Sequence, residues 1–204
     1  MSLLRSVAAD ARAHARDALL ESAEAKRLVV DQCLDDVVGA ADLIADCFRA
    51  GGKLLICGNG GSAADAQHLA AEFVGRLTKQ RERRALPALA LTTDSSFLTA
   101  QANDRGFDTV FARQVEAFGE PGDLLLAITT SGGSPNVLRA AETASASRMP
   151  VVALMGQAGP LALLADVSVC VPVANSQRVQ EAHVAIEHVL CDLVERALFD
   201  GETS

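Results

Sequence analysis

A strand, a glycine-rich turn and an alanine-rich helix follow one another over residues 54–76, and this stretch constrains the fold more than any other. It reads LLICGNGGSAADAQHLAAEFVGR, with Asn59, Gly60, Gly61 and Ser62 between an apolar run and a segment of helical composition. Such a turn presents unpaired backbone N–H groups at the positive end of a helix, which suits a phosphate. The stretch therefore predicts a phosphate loop, with an ordinary strand-to-helix turn as the alternative.

The helix after this turn carries a histidine and a carboxylate. His68 and Glu72 are four residues apart, so they share one helix face, about 6 Å apart along the axis. Behind a phosphate loop, such a pair provides acid–base groups or metal ligands. The alternative is a solvated pair without a chemical role.

Beyond residue 52 the chain alternates between strand-like and helical patterns. Strands are predicted at 53–57, 88–91, 123–128, 150–154 and 167–171, and helices at 62–77, 108–118, 135–147 and 177–199. Short apolar runs separated by helices are typical of a parallel sheet covered on both faces. We therefore expect an α/β fold: a doubly wound, flavodoxin-like sheet of order 2-1-3-4-5, flanked by helices. The prediction is one domain over 1–204, with a helical extension at 1–50 and an α/β core at 53–199.

A second polar turn follows the third predicted strand and precedes Pro135. It consists of Thr129, Thr130, Ser131, Gly132, Gly133 and Ser134. In a sheet of order 2-1-3-4-5 the loops after the first and third strands meet at the switch point, where ligands bind. We therefore expect the first loop (residues 59–62) and the second loop (residues 129–134) to face each other. Neither contains Lys or Arg, so hydroxyls, amides and helix dipoles would hold the phosphate.

The N-terminal helical region carries a heptad-like apolar seam that ends before Gly51. Its positions are Val30, Leu34, Val37, Ala41, Ile44 and Phe48. A seam of this length packs either on the chain's own sheet or on a partner subunit.

Composition excludes some classes of function. The formal charge is −8, with 26 acidic and 18 basic residues, which argues against a nucleic-acid partner. A basic cluster at 79–84 is interpreted mainly as a solvated loop, with a smaller role in attracting an anionic substrate. The five scattered cysteines indicate reduced core residues in a cytoplasmic protein. No apolar run reaches membrane-spanning length, and the N-terminus is too polar for a secretory signal.

Two further places carry polar residues of interest. Asn103 and Asp104 read as a turn, the default for this pair. The last predicted helix carries Gln180, His183 and His188. Buried structural histidines are the usual explanation, but three of the four histidines lie on two helices, so a shared site is also considered.

Together these motifs resemble the sugar isomerase (SIS) superfamily and, within it, the phosphoheptose isomerases. They are CGNGGS, DAxH with a Glu four residues after the His, ND, TSG with a following Ser, and QExH with a second His. The resemblance implies an acid–base pair of Glu72 and His188. It also implies zinc ligation by His68, Glu72, Gln180 and His188. The implied substrate contacts, to which the first loop adds Ser62, are Asn59, Gly60, Gly61, Glu72, Asn103, Asp104, Thr129, Thr130, Ser131, Ser134 and Gln180.

The chain departs from the family pattern at two positions. Gly133 stands where Asn is usual, and Thr129 where Ser is common. Both are small changes in the second loop, so we expect them to alter phosphate contacts without removing them.

The activity implied by the resemblance is aldose–ketose isomerisation of sedoheptulose 7-phosphate to D-glycero-D-manno-heptose 7-phosphate through an enediol(ate). A homotetramer with sites at subunit interfaces is also implied. Three alternatives remain: a non-catalytic relative that binds the bacterial replication initiator, a sugar-phosphate-sensing regulator, and an isomerase of another sugar phosphate. Intact Glu72 and His188 weigh against the first. The short, acidic N-terminal region weighs against the second.

Gln180 and His188 are separated by eight residues on one predicted helix. Their backbones would lie about 12 Å apart along the axis, which is too far for easy convergence on a single ion. The spacing therefore predicts that the two side chains of one site come from different subunits. The alternative is that one of them does not contact the ligand.

Overall fold

The computed structural model describes residues 2–200, with side chains from residue 10 onward. Residues 1 and 201–204, the ends of the predicted domain, lie outside this range. The helices are α1 (Ser2–Gln32), α2 (Leu34–Arg49), α3 (Gly61–Val74), α4 (Ser95–Arg105), α5 (Val110–Phe118), α6 (Pro135–Ala146) and α7 (Ser176–Phe199). The strands are β1 (Leu54–Gly58), β2 (Ala88–Ala90), β3 (Leu124–Thr129), β4 (Val151–Met155) and β5 (Val167–Cys170).

The five strands form one parallel sheet of order β2-β1-β3-β4-β5. This confirms the predicted doubly wound topology. The three central strands are buried along their whole length, as expected for strands covered on both faces. Gly58 at the end of β1 pairs with Ile128 in β3, so the two polar loops begin side by side.

Alternate residues of the central strands enter two separate cores. Leu54 and Ile56 pack with α2, α3 and α7 on one face. Leu55 and Cys57 pack with α5 and α6 on the other. The side-chain period of a strand is two, so a continuous apolar run supplies both cores at once. This arrangement places α3 and α7 next to each other on the same face.

The N-terminal region is helical, as predicted, and consists of α1 and α2. Its apolar seam is divided between two environments. Val37, Ala41, Ile44 and Phe48 are buried within the chain. Val30 and Leu34 lie on either side of the break at Cys33 and are 59% and 51% exposed. Most of the seam therefore packs on the chain's own core, and only its first part can meet a partner.

The predicted turn at Asn103 and Asp104 is wrong, because both residues lie within α4. This helix begins after Asp94, whose carboxylate accepts a hydrogen bond from the Phe97 N–H at 3.0 Å. Side-chain capping of this kind supplies one of the partners that a helix start lacks. None of its residues is buried, so there is no apolar stripe from which to predict it.

The basic cluster at 79–84 is only partly solvated, which corrects its interpretation as a solvated loop. The Arg83 side chain has no exposure to solvent, whereas Lys79 and Glu82 are exposed. The prediction that the cysteines are unpaired core residues is confirmed, because all five are free and only Cys170 is half-buried rather than buried: Cys33, Cys47, Cys57, Cys170 and Cys191. Among residues 2–200, no helix has the length and apolar character needed to cross a membrane.

Candidate active site

The two polar loops are joined directly by a pair of asparagines. The Asn59 amide donates to Asn136 Oδ1 at 2.8 Å, and the Asn136 amide donates to Asn59 Oδ1 at 2.8 Å. Asn136 lies in the first turn of α6 and is 3% exposed. This reciprocal pair holds the N-terminal ends of α3 and α6 beside each other, so the first and second loops face one crevice.

The first loop leaves its backbone amides free for a ligand. Gly60 precedes α3 with φ of +55°, a conformation that favours glycine, and no side chain caps the helix. Ala63 and Ala64 donate the first hydrogen bonds of the helix, both to the Gly60 carbonyl. The N–H groups of Gly61 and Ser62 come before these bonds and have no partner within the helix. Ser62 itself is buried in this first turn. The loop therefore has the features of an anion site built from backbone groups.

The second loop presents clustered hydroxyls. Thr129 Oγ1 lies 3.1 Å from Ser134 Oγ and 3.3 Å from Ser131 Oγ, and the Gly133 N–H donates to Ser131 Oγ at 3.3 Å. Thr130 is half-buried beside them. Pro135 opens α6 without an N–H of its own. The second loop thus offers neutral donors next to a second helix N-terminus.

A cluster of titratable side chains lies between α3 and α7. His68 Nε2 is 2.8 Å from His188 Nε2, and His68 Nδ1 is 3.8 Å from Glu72 Oε1. His68 and Glu72 are half-buried, whereas His188 is exposed. His68 and His188, which are 120 residues apart in the sequence, therefore meet beside α3, the helix that begins at the first loop. We call His68, Glu72 and His188 the helix cluster.

The helix cluster has the composition of a metal site. One ligand atom from each of its three residues lies within 4.8 Å of the others. Two imidazoles and one carboxylate are a common donor set for zinc. Two nitrogen ligands at about 2.0–2.1 Å in tetrahedral geometry are about 3.3 Å apart, close to the 2.8 Å between the two rings. The donors therefore fit a divalent metal such as zinc.

Gln180 lies beside the first loop rather than in this group of three. Its Nε2 is 3.5 Å from Asp65 Oδ1. A Cβ added to Gly61 would come within 2.1 Å of the same nitrogen. The two helices run side by side, so Gln180 meets the start of α3 while His188 meets the part near Glu72. A single chain thus brings both side chains to α3, and their separation into two subunits remains a prediction.

Asn103 and Asp104 are not brought to the loops. The Asn103 amide donates to the neighbouring Asp104 carboxylate at 2.9 Å, and both residues are exposed near the end of α4. Within the described chain neither side chain hydrogen-bonds a loop residue. Their implied substrate contacts are therefore the part of the predicted site that one chain does not assemble.

Buried polar groups lie beneath the site on the inner face of α7. Burial raises the pKa of Glu187 to about 8, with a further contribution from the charge of Asp65. Burial lowers the pKa of His183 to about 4. Burial also raises the pKa of Asp65. Both polar atoms of Glu187 and both of His183 lack a hydrogen-bond partner in the described part of the chain, so the interior favours their neutral forms.

Sequence reasoning missed several residues that shape this region. Asp65 stands within the DAxH motif, but only the packed structure shows that it meets Gln180. Glu187 falls on the apolar stripe of α7, between Ile186 and Leu190, and a carboxylate on such a stripe is the signal that could have identified it. Asn136 has a similar signal, because it is a polar residue at the buried start of α6.

The chain is similar to characterised sugar isomerases over most of its length. A model of the SIS domain family matches residues 8–156. A phosphoheptose isomerase from Roseiflexus sp. (strain RS-1) is 49% identical over 185 residues, covering 90% of this chain and 93% of that protein. The phosphoheptose isomerase from Chlorobium phaeobacteroides is 55% identical over 187 residues, with coverage of 91% and 83%.

Solved structures show the same similarity. A phosphoheptose isomerase from Neisseria gonorrhoeae has a TM-score of 0.85 at 42% identity, covering 90% of this chain and 98% of that one. The one from Francisella tularensis has a TM-score of 0.87 at 37% identity, with coverage of 91% and 98%.

Proposed function

We propose a function from the family of this protein, because the chain belongs to the phosphoheptose isomerase family of SIS-domain proteins. It converts sedoheptulose 7-phosphate to D-glycero-D-manno-heptose 7-phosphate. The observation that carries this proposal is the helix cluster, because two of its residues, His68 and Glu72, lie on α3, the helix that begins at the first loop. A phosphate held by the two loops would leave the other end of the sugar free to reach Glu72. Residues 1–204 act as one SIS domain in this proposal.

Glu72 acts as the general base and His188 as the acid–base group for the sugar oxygens. Glu72 removes a proton from C1 of the ketose while O2 gains one, which gives an enediol. O1 then loses its proton, and Glu72 returns a proton to C2, which leaves an aldehyde at C1 and a hydroxyl at C2. No net oxidation occurs. The position of His188 beside Glu72 in the helix cluster supports its role, because an acid–base group must lie within hydrogen-bond reach of the proton that it transfers.

Zinc is part of the proposal. His68, Glu72 and His188 would hold it, and the family resemblance adds Gln180 as a fourth ligand. When bound, zinc supplies a Lewis acid that polarises the sugar carbonyl. The loops bind and orient the phosphate, and this positioning is independent of the metal.

A homotetramer is also part of the proposal, and exposed apolar residues support it. Leu34 and Val189 are 51% and 45% exposed, and together with Val30 they line one groove between α1, α2 and α7. Val38, also on α2, is 45% exposed. Substituting Glu for both Leu34 and Val189 should give smaller particles in light scattering. Particles of native size would contradict an interface here. Val37 and Ile44 are unsuitable for this test because they are buried in the chain's own core.

We also place the enzyme in the cytoplasm, which is supported by its five free thiols, since reducing compartments keep cysteines unpaired.

Turnover of sedoheptulose 7-phosphate in deuterated water tests the proposed reaction. The product should be the aldose, with deuterium incorporated at C2, as expected for an enediol intermediate. Activity should fall after dialysis against a chelator and return with zinc, and fructose 6-phosphate serves as the matched shorter ketose. Absence of heptose turnover in the zinc-loaded protein would contradict the proposed function.

A further inference from the structure

One arginine of the basic cluster is fully enclosed and joins three parts of the chain. Arg83 Nε donates to Glu195 Oε1 at 2.8 Å, and its terminal nitrogens donate to the carbonyls of Glu72 and Phe73 at 2.8 Å each. Its side chain has no solvent exposure, and that of Glu195 is 2% exposed. Glu195 Oε1 also accepts from the Leu77 N–H at 3.2 Å. Arg83 therefore satisfies the last carbonyls of α3 and pairs with α7 at the same time.

This ion pair lies next to the helix cluster. The Arg83 guanidinium binds the backbone of Glu72 itself. Glu195 follows His188 by seven residues, about 10 Å farther along α7 and on the same face. The pair thus joins the two helices just beyond the point where His68 and Glu72 meet His188.

We propose that Arg83 is a positioning residue, which fixes α3 against α7 so that Glu72 and His68 lie at the correct distance from His188. Its planar fork matches this task, because it binds two carbonyls and a carboxylate in fixed directions. A lysine provides a similar charge but only a compact, rotatable head group. A buried charge is costly when it loses its partner, so the two helices cannot separate here without a large penalty.

The position of Arg83 predicts a division between chemistry and binding. The phosphate loop lies at the opposite end of α3, because Gly61 and Glu72 are eleven residues apart, or about 16 Å along the helix. A small shift at the Arg83 end should therefore disturb the helix cluster more than the loops. Loss of general stability would instead lower the folded fraction without this division.

Arg83→Lys tests the proposal, and Arg81→Lys is its matched control. Arg81 lies in the same loop and pairs with Asp200 just after α7, at 2.7 Å, but the pair is partly exposed. We expect Arg83→Lys to lower kcat and cobalt affinity by about 10- to 100-fold each, as changes behind metal ligands do, with KM within about threefold. The absorption bands of bound cobalt should also change. Arg81→Lys should match the wild-type protein in all three measurements.

The inference rests on the proposed function, but the two can fail separately. If the wild-type protein neither binds cobalt nor turns over the heptose phosphate, the proposed function fails. If it does both and a folded Arg83→Lys variant retains its kcat and cobalt spectrum, only the role of Arg83 is overturned. Should Arg83→Lys not fold, Glu195→Gln weakens the same ion pair from α7. A folded Glu195→Gln variant with wild-type kcat and cobalt affinity would also overturn the inference.

Discussion

The two polar loops lie at the N-terminal ends of α3 and α6, whereas the helix cluster lies farther along α3, and the two regions depend on the chain in different ways. The second loop is formed by residues that are no more than five positions apart, and its polar groups are neutral hydroxyls and amides. The helix cluster joins α3 to His188, 120 residues beyond His68, and all its members have ionisable side chains. The internal hydrogen bonds of the second loop are therefore local, whereas the helix cluster relies on the docking of α7.

This difference predicts a separation of binding from chemistry. A loop of neutral donors at helix N-termini stabilises phosphate equally in the substrate and in the transition state, so its loss should appear in KM. Side chains that transfer protons act mainly in the transition state, so their loss should appear in kcat. Substitutions in each region test this separation.

Glu72→Gln should have the largest effect. The amide keeps the size of the side chain but cannot accept a proton, so we expect kcat to fall by at least ~10²-fold while KM changes little. Glu142→Gln is the matched control, because Glu142 is exposed on α6 and should have no effect. Steady-state kinetics with both variants checks this. Near-native turnover by Glu72→Gln would show that Glu72 is not the base.

The buried histidine of α7 should show an effect on stability alone. Burial lowers the pKa of His183 from 6.5 to about 4, so as pH falls the unfolded chain binds this proton before the native chain does. The stability associated with neutral His183 is fully present above about pH 7 and should fall by about 2 kcal/mol between pH 7.5 and pH 5.

Urea unfolding at both pH values measures this effect. His183→Gln should remove about 2 kcal/mol from the pH-dependent loss of stability. His14→Gln, at an exposed position of α1, should leave the loss unchanged. An unaltered pH dependence in His183→Gln would mean that His183 does not titrate as its burial indicates.

Removing two hydroxyls from the second loop should affect binding. With Ser131 and Ser134 replaced by Ala, we expect KM for the heptose phosphate to rise about 10-fold, as lost hydrogen bonds to a charged group predict, with kcat nearly constant. The same double substitution at Ser145 and Ser147, at the far end of α6, is the control. An unchanged KM would contradict the role of the second loop, and a fall in kcat alone would contradict the separation of binding from chemistry.

Much of the fold could be predicted from the sequence because its signals are local. Apolar runs between helical patterns gave five strands, and the order of the sheet follows from general rules for parallel topology. Helix α4 escaped prediction because it has no buried residue. Its start depends on one capping carboxylate, Asp94, and a single Asp between polar residues does not distinguish a helix start from a turn.

The candidate site, like the fold, could be predicted from the sequence only where its signals are local. Both loops could be identified from glycines and hydroxyls at strand ends, but their connection through Asn136 could not, because it depends on how α6 packs. Arg83 stands among other charged residues, a pattern typical of a solvated loop, and only the packing of Glu195 against α3 shows that it is enclosed. Contacts between residues more than a hundred positions apart have no local pattern from which to predict them.

Gly61→Ala tests the contact between the first loop and Gln180 of α7. The new Cβ would lie 2.1–2.4 Å from the Gln180 amide, so one of the two must move. Because the amide is the far end of a flexible side chain, we expect Gln180 to be displaced and the backbone to stay in place.

Alanine is also the better helix former by up to about 1 kcal/mol, and Gly61 is the first residue of α3. The melting temperature should therefore be unchanged or slightly raised, while kcat/KM falls about fivefold, the effect of roughly 1 kcal/mol of lost transition-state contact. Gly39→Ala is the matched control, because Gly39 also lies in a helix, α2, and its Cβ would meet only the Val167 side chain, at 3.8 Å or more. If Gly61→Ala remains fully active, Gln180 does not contribute to the site from beside the first loop. If it is inactive because it is unfolded, the contact is a packing contact rather than a functional one.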